Sequence, residues 1–249
     1  MKFALLILAA ATLYEQSVAR LLGERFSEPH ISHLFVKAST GEILGERWPD
    51  ASRPVAPGSL VKVFTALAYG ETHGNRFPEL ACGKDSGCWL PRGHGKVGIV
   101  EAVAHSCNAY FRVLAKGVSV EDVAAAARRY GVEPPPADAP AEALVGIGSA
   151  WKVTPVSLVR AYCRMASDPS AAVLVRGLAL SAVSGTGIGA GSGLVKTGTA
   201  PCVHQPRAPG DGFAILLYPA ASPKYVLLVR VHGTTGARAA EIAAAGLPQ

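Results

Sequence analysis

The sequence has no run of basic residues longer than the Arg128-Arg129 pair, and aromatic residues make up only 7% of it. Domains that bind nucleic acids usually carry a basic face interleaved with aromatic side chains, so no nucleic-acid partner is expected. Internal repeats are absent, and past the N-terminus no apolar run is long enough for a membrane span. The formal net charge of +6 suits an anionic surface or polymer, or solubility alone.

The N-terminus is the one strongly apolar segment of the chain. Lys2 precedes the apolar run Phe3–Tyr14, which ends at Glu15. Ser17-Val18-Ala19 then provides a small-x-small site, which completes the layout of a secretory signal peptide. A buried N-terminal helix is the alternative, because apolar content alone does not separate the two. We predict a signal peptide over residues 1–19 and an exported protein, periplasmic or extracytoplasmic, that is soluble after cleavage.

Strand patterns occur at both ends of the sequence, with helical patterns between them. A β-hairpin is predicted from Ile31–Lys37 and Glu42–Trp48, and three more strands from Leu194–Thr199, Gly212–Tyr218 and Lys224–His232. Helices are predicted at Ser59–Gly70, Ile99–His105, Ala109–Val118, Glu121–Tyr130, Pro155–Ser167, Ala171–Val183 and Gly236–Ala245. We therefore expect an α+β fold, in which about five strands form one antiparallel sheet beside an inserted α-helical lobe.

Two glycine-containing stretches are predicted to lack regular structure. Residues 73–98 are rich in Gly, Pro, Cys and His and are expected to be irregular. The segment SGTGIGAGSG, residues 184–193, has neither the spacing nor the strand–loop–helix setting of a phosphate-binding loop, so it is interpreted as a flexible connection.

Three short motifs place polar side chains on these elements. Ser59-x-x-Lys62 begins a predicted helix, Ser106-x-Asn108 separates two helices, and Lys196-Thr197-Gly198 ends a strand. Taken singly, each has an ordinary explanation as a helix cap, a turn or a strand end. Together they suit nucleophilic catalysis, because a serine hydroxyl needs a base and a buried lysine with a lowered pKa can be that base.

The chain resembles the transpeptidase domain of penicillin-binding proteins, in the superfamily of serine acyl-transferases that includes the β-lactamases. The resemblance is carried, in order, by STGEIL, PGSLVKVFTAL, CW…GHG, SCNAYF, GIGSAWKVTPVSLVRAY, VKTGTA and SPKYVLLV. The stretch from CW to SCNAYF is most similar to the elongation-type branch of the class B proteins. The resemblance implies a β-lactamase/transpeptidase-like fold and a serine D,D-transpeptidase that cross-links peptidoglycan.

The resemblance also implies a role for each motif residue. Ser59 would be the acylated nucleophile and Lys62 its general base. Ser106 would relay a proton to the leaving amine, and Asn108 would bind the substrate amide. No cofactor is expected for catalysis.

The strand motif is expected to bind the substrate, the D-Ala-D-Ala end of a peptidoglycan stem peptide. Lys196 and Thr197 would hold its terminal carboxylate, and Gly198 and Thr199 would continue the binding strand. The backbone N–H groups of Ser59 and Thr199 would form an oxyanion hole. The expected partners are stem peptides and β-lactams, and no protein partner is identified.

At the N-terminus, this chain differs from the class B proteins that it resembles. Class B proteins usually carry a membrane anchor and a pedestal domain, whereas few residues separate Ala19 from the first predicted strand. Residues 20–249 are therefore expected to form a single transpeptidase-like domain without a pedestal.

Three alternative functions stay open. A D,D-carboxypeptidase would differ only in using water to resolve the acyl-enzyme. A β-lactamase of class A type would need a glutamate four residues before an asparagine, and neither Glu133 nor Glu142 has that neighbour. A non-catalytic β-lactam-sensing or scaffold domain would be expected to lose a motif residue, and all are present.

The five cysteines are an odd number, so at least one thiol stays unpaired or binds a metal. Cys82, Cys88, His94 and Cys107 could form a closed tetrahedral zinc set without a catalytic position. Cys107 lies between Ser106 and Asn108, so its side chain is expected to point away from a cleft that its neighbours face. A Cys82–Cys88 disulfide is the alternative, and both readings stay open.

Overall fold

The computed structural model describes residues 2–191, 193–202 and 207–248, with side chains from residue 12 onward. The strands are β1 (Ile31–Lys37), β2 (Ile43–Arg47), β3 (Leu80–Cys82), β4 (Gly95–Val97), β5 (Leu194–Ala200), β6 (Asp211–Tyr218) and β7 (Tyr225–His232). Five of them form one antiparallel sheet in the order β2-β1-β7-β6-β5. The predicted α+β fold, with a sheet built from both chain ends, is confirmed.

The described residues form nine α-helices: α1 (Lys2–Arg25), α2 (Lys62–Thr72), α3 (Ile99–Ala104), α4 (Asn108–Lys116), α5 (Val120–Arg129), α6 (Ala141–Leu144), α7 (Pro155–Ser167), α8 (Ala172–Ser184) and α9 (Gly236–Gly246). Helix α7 begins where the sequence predicts, because the Thr154 hydroxyl accepts the backbone N–H of Ser157 and Pro155 takes the first position. Helices α2 to α8 form the inserted lobe between the two groups of strands.

Both faces of the sheet are covered, which explains the nearly continuous apolar runs of β6 and β7. Alternate side chains point to opposite faces, so Val226 and Leu228 belong to the core shared with the helical lobe. Leu227, Val229 and Val231 belong to a second core under α1 and α9. The sheet thus separates a lobe side from a side covered by the first and last helices.

Helix α1 packs on the sheet through its C-terminal half. Val18, Leu22 and Phe26 are buried in the core under α9, and Glu15 pairs with Lys37 of β1 at 2.8 Å. The predicted cleavage site after Ala19 therefore lies within a continuous helix, and the signal peptide stays a prediction. Within the described ranges, no helix combines the length and apolarity that crossing a membrane requires.

Three local predictions need correction. The helix expected from Ser59 starts as a 3-10 turn over Gly58–Val61, and α2 follows it directly. The stretch 73–98 contains the hairpin β3–β4, whose three-residue strands are too short to produce a recognisable alternation. A 3-10 turn, Ile188–Ala190, lies within the segment 184–193, of which residue 192 is outside the described residues.

Candidate active site

Ser59 lies at the point where the 3-10 turn leads into α2, at the boundary between the helical lobe and the sheet. The hydroxyl of Tyr162, a fully buried residue of α7, donates to the carbonyl oxygen of Leu60 at 2.9 Å. The turn is therefore fixed from inside the core on one side and faces a cleft on the other.

Three glycines allow separate backbone segments to meet beside Ser59. A Cβ atom on Gly58, whose φ is +60°, would lie 2.5 Å from the carbonyl oxygen of Thr199 in β5. Cβ atoms on Gly198 and Gly146 would lie 2.4 and 2.3 Å from backbone oxygens of the segment that carries Ser59. Such contacts are far too short, so the position of Ser59 against β5 depends on these glycines.

Lys62 is completely buried one helical turn from Ser59. Its Nζ lies 2.7 Å from Ser59 Oγ and donates to the carbonyl oxygen of Val145 at 2.6 Å. Burial lowers the pKa of Lys62 to about 7, and the nearby Arg112 guanidinium acts in the same direction. A neutral amine able to accept the serine proton is therefore well populated near neutral pH.

The carbonyl contact to Lys62 comes from the short segment around α6, which is fastened to α4 by an ion pair. Arg112 donates from Nε and Nη2 to the two carboxylate oxygens of Glu142, at 2.8 and 3.0 Å. The Thr65 hydroxyl also donates to the carbonyl oxygen of Leu144 at 2.5 Å. No local sequence pattern predicts this ion pair, because Arg112 and Glu142 are thirty residues apart.

Ser106 lies between α3 and α4 with a φ of 51°, a left-handed conformation that is uncommon for a serine. Its Oγ accepts a hydrogen bond from Lys196 Nζ at 2.9 Å. Asn108, the first residue of α4, lines the same cleft. The structure thus brings the helix–helix motif and the strand motif into direct contact.

Lys196 is fully buried, and its ammonium lies behind Ser106. Nζ also donates to the carbonyl oxygen of Thr197 at 2.8 Å. Burial holds the pKa of Lys196 well below its usual range, and the charge of Lys62 lowers it further. Lys196 is therefore in contact with Ser106, and its predicted role of holding a substrate carboxylate stays a prediction.

The cleft has a volume of about 370 Å³ and lies between β5 and the helical lobe. Predicted residues that line it are Ser59, Ser106, Asn108, Thr197, Gly198 and Thr199. Thr186, Trp89 and Ile147 also line it and were missed by the sequence analysis. Thr186 accepts from the Thr197 hydroxyl at 2.6 Å, so part of the glycine-rich segment 184–193 belongs to the site.

Neither glutamate considered for a β-lactamase mechanism lines this cleft. Glu142 is bound to Arg112, and the Glu133 carboxylate accepts from Ser157 Oγ and the backbone N–H of Thr154. Among the described residues around the cleft, there is no carboxylate. In the part of the cleft that the structure describes, serine hydroxyls and buried lysines therefore come together without an acidic side chain.

The four residues of the predicted zinc set come together behind the Ser106–Asn108 loop. Their ligand atoms lie within 4.8 Å of one another, with His94 Nδ1 at 3.6 Å from Cys82 Sγ and 3.5 Å from Cys88 Sγ. Cys88 and Cys107 sulfurs are 3.8 Å apart, and all five cysteines are free. Cys107 is fully buried and does not line the cleft, so its side chain points where the sequence predicts.

The family model for the penicillin-binding protein transpeptidase domain matches residues 35–247. No curated protein sequence matches the chain.

Solved structures share the fold. Penicillin-binding protein 2 of Helicobacter pylori, solved in complex with MreC, aligns with a TM-score of 0.79 at 17% identity over 91% of this chain. The chain spans 61% of that protein. Penicillin-binding protein 2 of Pseudomonas aeruginosa gives a TM-score of 0.75 at 15% identity, over 91% of this chain and 72% of that one. The isolated transpeptidase domain of penicillin-binding protein 3 from Burkholderia pseudomallei gives a TM-score of 0.70 at 17% identity, over 95% of this chain and 92% of that domain. Because the family match extends from β1 to the end of α9, the chain belongs to the penicillin-binding protein transpeptidase family.

Proposed function

We propose that the chain is a serine D,D-transpeptidase that acts on the D-Ala-D-Ala ends of peptidoglycan stem peptides and is acylated by β-lactams. The observation that carries the proposal is the pair of contacts Lys62–Ser59 and Lys196–Ser106 at a single cleft. Family membership supports the same reaction class. Sequence motifs named these residues, and the structure supplies the contacts between them.

In the acylation step, Ser59 Oγ attacks the carbonyl carbon between the two D-alanines, while Lys62 Nζ takes the serine proton. The C–N bond then breaks, and the proton that Lys62 took reaches the departing amine of the terminal D-alanine through Ser106, which gives up its hydroxyl proton and receives that one in its place. Lys196 orients Ser106 through its hydrogen bond. The reaction leaves an ester on Ser59 and a free D-alanine.

Strand β5 is at the edge of the sheet, beside the cleft, so its backbone can pair with an extended peptide. In the proposal, the N–H groups of Ser59 and Thr199 stabilise the negative charge on the attacked carbonyl oxygen. Donors of this kind typically contribute about 3–4 kcal/mol to lowering the barrier. The hydroxyl of Thr197 and the amide of Asn108 are the contacts assigned to the substrate carboxylate and peptide bond.

The acyl-enzyme is resolved by an amine of a second stem peptide, which forms the cross-link, or by water, which makes the enzyme a carboxypeptidase. The transpeptidase is preferred on the family match. Incubation with a stem pentapeptide and an acceptor amine, followed by mass analysis, separates the two products.

Acylation itself is tested with benzylpenicillin and mass spectrometry of the digested protein. One adduct is expected, on the peptide that contains residues 56–64, and Ser59→Ala should remove it. Ser52→Ala, at an exposed serine, is the matched control and should retain it. An adduct on another peptide, or one that survives Ser59→Ala, contradicts the assignment.

We also propose that the domain is exported, because its proposed substrate lies outside the cytoplasm. The apolar run Phe3–Tyr14 and the site at Ala19 support export. Cell fractionation tests the location, and the mass of the purified chain tests cleavage. A chain found in the cytoplasm would contradict this proposal without affecting the acylation chemistry.

A structural zinc held by Cys82, Cys88, His94 and Cys107 is proposed in addition. Three thiols and one imidazole form a set that suits a closed tetrahedral site. Backbone N–H groups of Ala109, Leu90 and Asn108 lower the pKa of Cys88 despite its partial burial, which favours the thiolate. An ion there would hold the Ser106–Asn108 loop in position.

Metal analysis of protein purified without a histidine tag tests this site. Cys88→Ser should lower the zinc content by one equivalent, whereas Cys163→Ser, at a thiol outside the set, should not. A Cys82–Cys88 disulfide in the peptide map would instead favour the alternative reading.

A further inference from the structure

A second group of metal-ligating side chains lies at the far end of β5. Cys202 follows β5, Asp211 begins β6 and His232 ends β7. Their Sγ, carboxylate and ring-nitrogen atoms lie within 4.8 Å of one another. We propose that these three residues bind a divalent metal ion of zinc type, which fastens Cys202, two residues after β5, to β6 and β7.

The position of two of the ligands is set by the sheet itself. Asp211 and His232 are direct partners in the antiparallel β6–β7 pair, and His232 Nδ1 lies 2.7 Å from Asp211 Oδ1. Asp211 is completely buried. A buried carboxylate is a suitable ligand for a divalent ion, whose charge would add to that of the nearby Arg230 guanidinium.

Cys202 provides a third potential metal ligand beside the hydrogen-bonded pair of His232 and Asp211. Its thiol is partly exposed, and it contacts the carbonyl oxygen of Arg207 at 2.8 Å. Metal binding would release the thiol proton and replace this contact. A set of one thiolate, one imidazole and one carboxylate suits zinc better than calcium or magnesium, which prefer oxygen ligands throughout.

The metal ion would hold strand β5 in position without contacting the catalytic residues. Asp211 pairs with Ala200, the residue after Thr199. Thr199 lines the cleft and lies against Gly58 in the turn that carries Ser59. An ion at this end would thus hold β5 where the substrate pairs with it, without touching the reacting atoms.

The proposal is tested by measuring the zinc content of the full chain, without a tag, by mass spectrometry. Before the measurement, the metal is removed with a chelator, the protein is reloaded with zinc chloride, and the sample is desalted. Cys202→Ala and His232→Ala should each lower the content by one equivalent relative to the unchanged chain. Cys163→Ala, a buried thiol outside both groups, is the matched control and should leave it unchanged. Because Cys202 is partly exposed, its variant is expected to fold even if the His232 variant does not.

Cobalt provides a second readout, since a thiolate bound to Co²⁺ gives a charge-transfer band in the near ultraviolet. In a Cys82→Ser, Cys88→Ser double variant, the remaining band should disappear when Cys202→Ala is added. Zinc content that is the same in Cys202→Ala and the unchanged chain would overturn the proposal, as would an unchanged chain that binds no zinc. A chain that binds one zinc and loses it in Cys202→Ala would support this site and contradict the zinc proposed at Cys82.

Discussion

Lys62 and Lys196 stand on opposite sides of the cleft, one on a helix and one on a strand, and both are fully buried. Lys62 Nζ contacts the hydroxyl of Ser59, whereas Lys196 Nζ contacts that of Ser106. Burial lowers the pKa of both, because it destabilises the charged form. Equal burial is therefore compatible with the two different roles that we propose, because each amine contacts a different serine.

The largest effect on the rate of acylation is expected from replacing Lys62, the proposed base. Lys62→Ala should lower the rate of acylation by benzylpenicillin about 100- to 10,000-fold, the range that general acid–base catalysis usually supplies. Stopped-flow or gel-based labelling with a fluorescent penicillin measures it. Lys116→Ala, an exposed lysine, is the control and should behave as the unchanged chain. A near-normal rate in Lys62→Ala would mean that another group takes the serine proton.

A change of pH should act through the same amine. The pKa of Lys62 is lowered to about 7, and only its neutral form accepts the proton, so acylation should rise with pH and level off above that value. Between pH 8 and pH 5, the rate should fall about 100-fold, because the neutral fraction drops about tenfold per unit below the pKa. A rate that stays constant from pH 8 to pH 5 would rule out this base.

The strand lysine should matter less and in another way. Lys196→Ala removes a hydrogen bond to Ser106, worth about 0.5–1.5 kcal/mol, so acylation should slow by about 2- to 13-fold. The pH midpoint near 7 should stay, since Lys62 is still present. Measuring the rate across pH in both lysine variants separates the roles. A lost midpoint in Lys196→Ala would show that the strand amine, too, acts as a base.

The smallest effect is expected from a neighbour of the base. The Arg112 charge lowers the pKa of Lys62, and Glu142 raises it. Arg112→Gln removes the first influence and should move the pH midpoint upward by about half a unit. Arg128→Gln, at an exposed arginine that also pairs with a glutamate, is the control. A midpoint that moves downward in Arg112→Gln would contradict the electrostatic explanation.

Much of the fold could be predicted because local signals were strong. The runs at Ile31–Lys37 and Tyr225–His232 are rich in β-branched and apolar residues, and Thr154-Pro155 marks a helix start. The hairpin β3–β4 was missed because its strands are too short to show a period. The ambiguity at the N-terminus arose because apolar content is shared by signal peptides and buried helices.

The candidate site was predictable only in part, for a physical reason. Ser59, Ser106 and Lys196 belong to motifs in which the spacing itself is informative. Thr186 and Trp89 reach the cleft through tertiary packing. No local pattern marks Thr186 as a cleft residue, and the CW…GHG stretch that contains Trp89 indicated only the family. The contact between Lys196 and Ser106 likewise depends on how the helical lobe packs against β5.

If Ser59 is acylated by β-lactams as proposed, the close backbone contacts beside it would also limit the routes to drug resistance. Any side chain at Gly58, Gly146 or Gly198 would displace the nucleophile, because its Cβ atom would lie 2.3–2.5 Å from backbone oxygens. A population selected with β-lactams would therefore be expected to keep these glycines. Adaptive substitutions should accumulate instead at the outer cleft wall, at Trp89 or Ile147, where side chains can change without moving the catalytic serine.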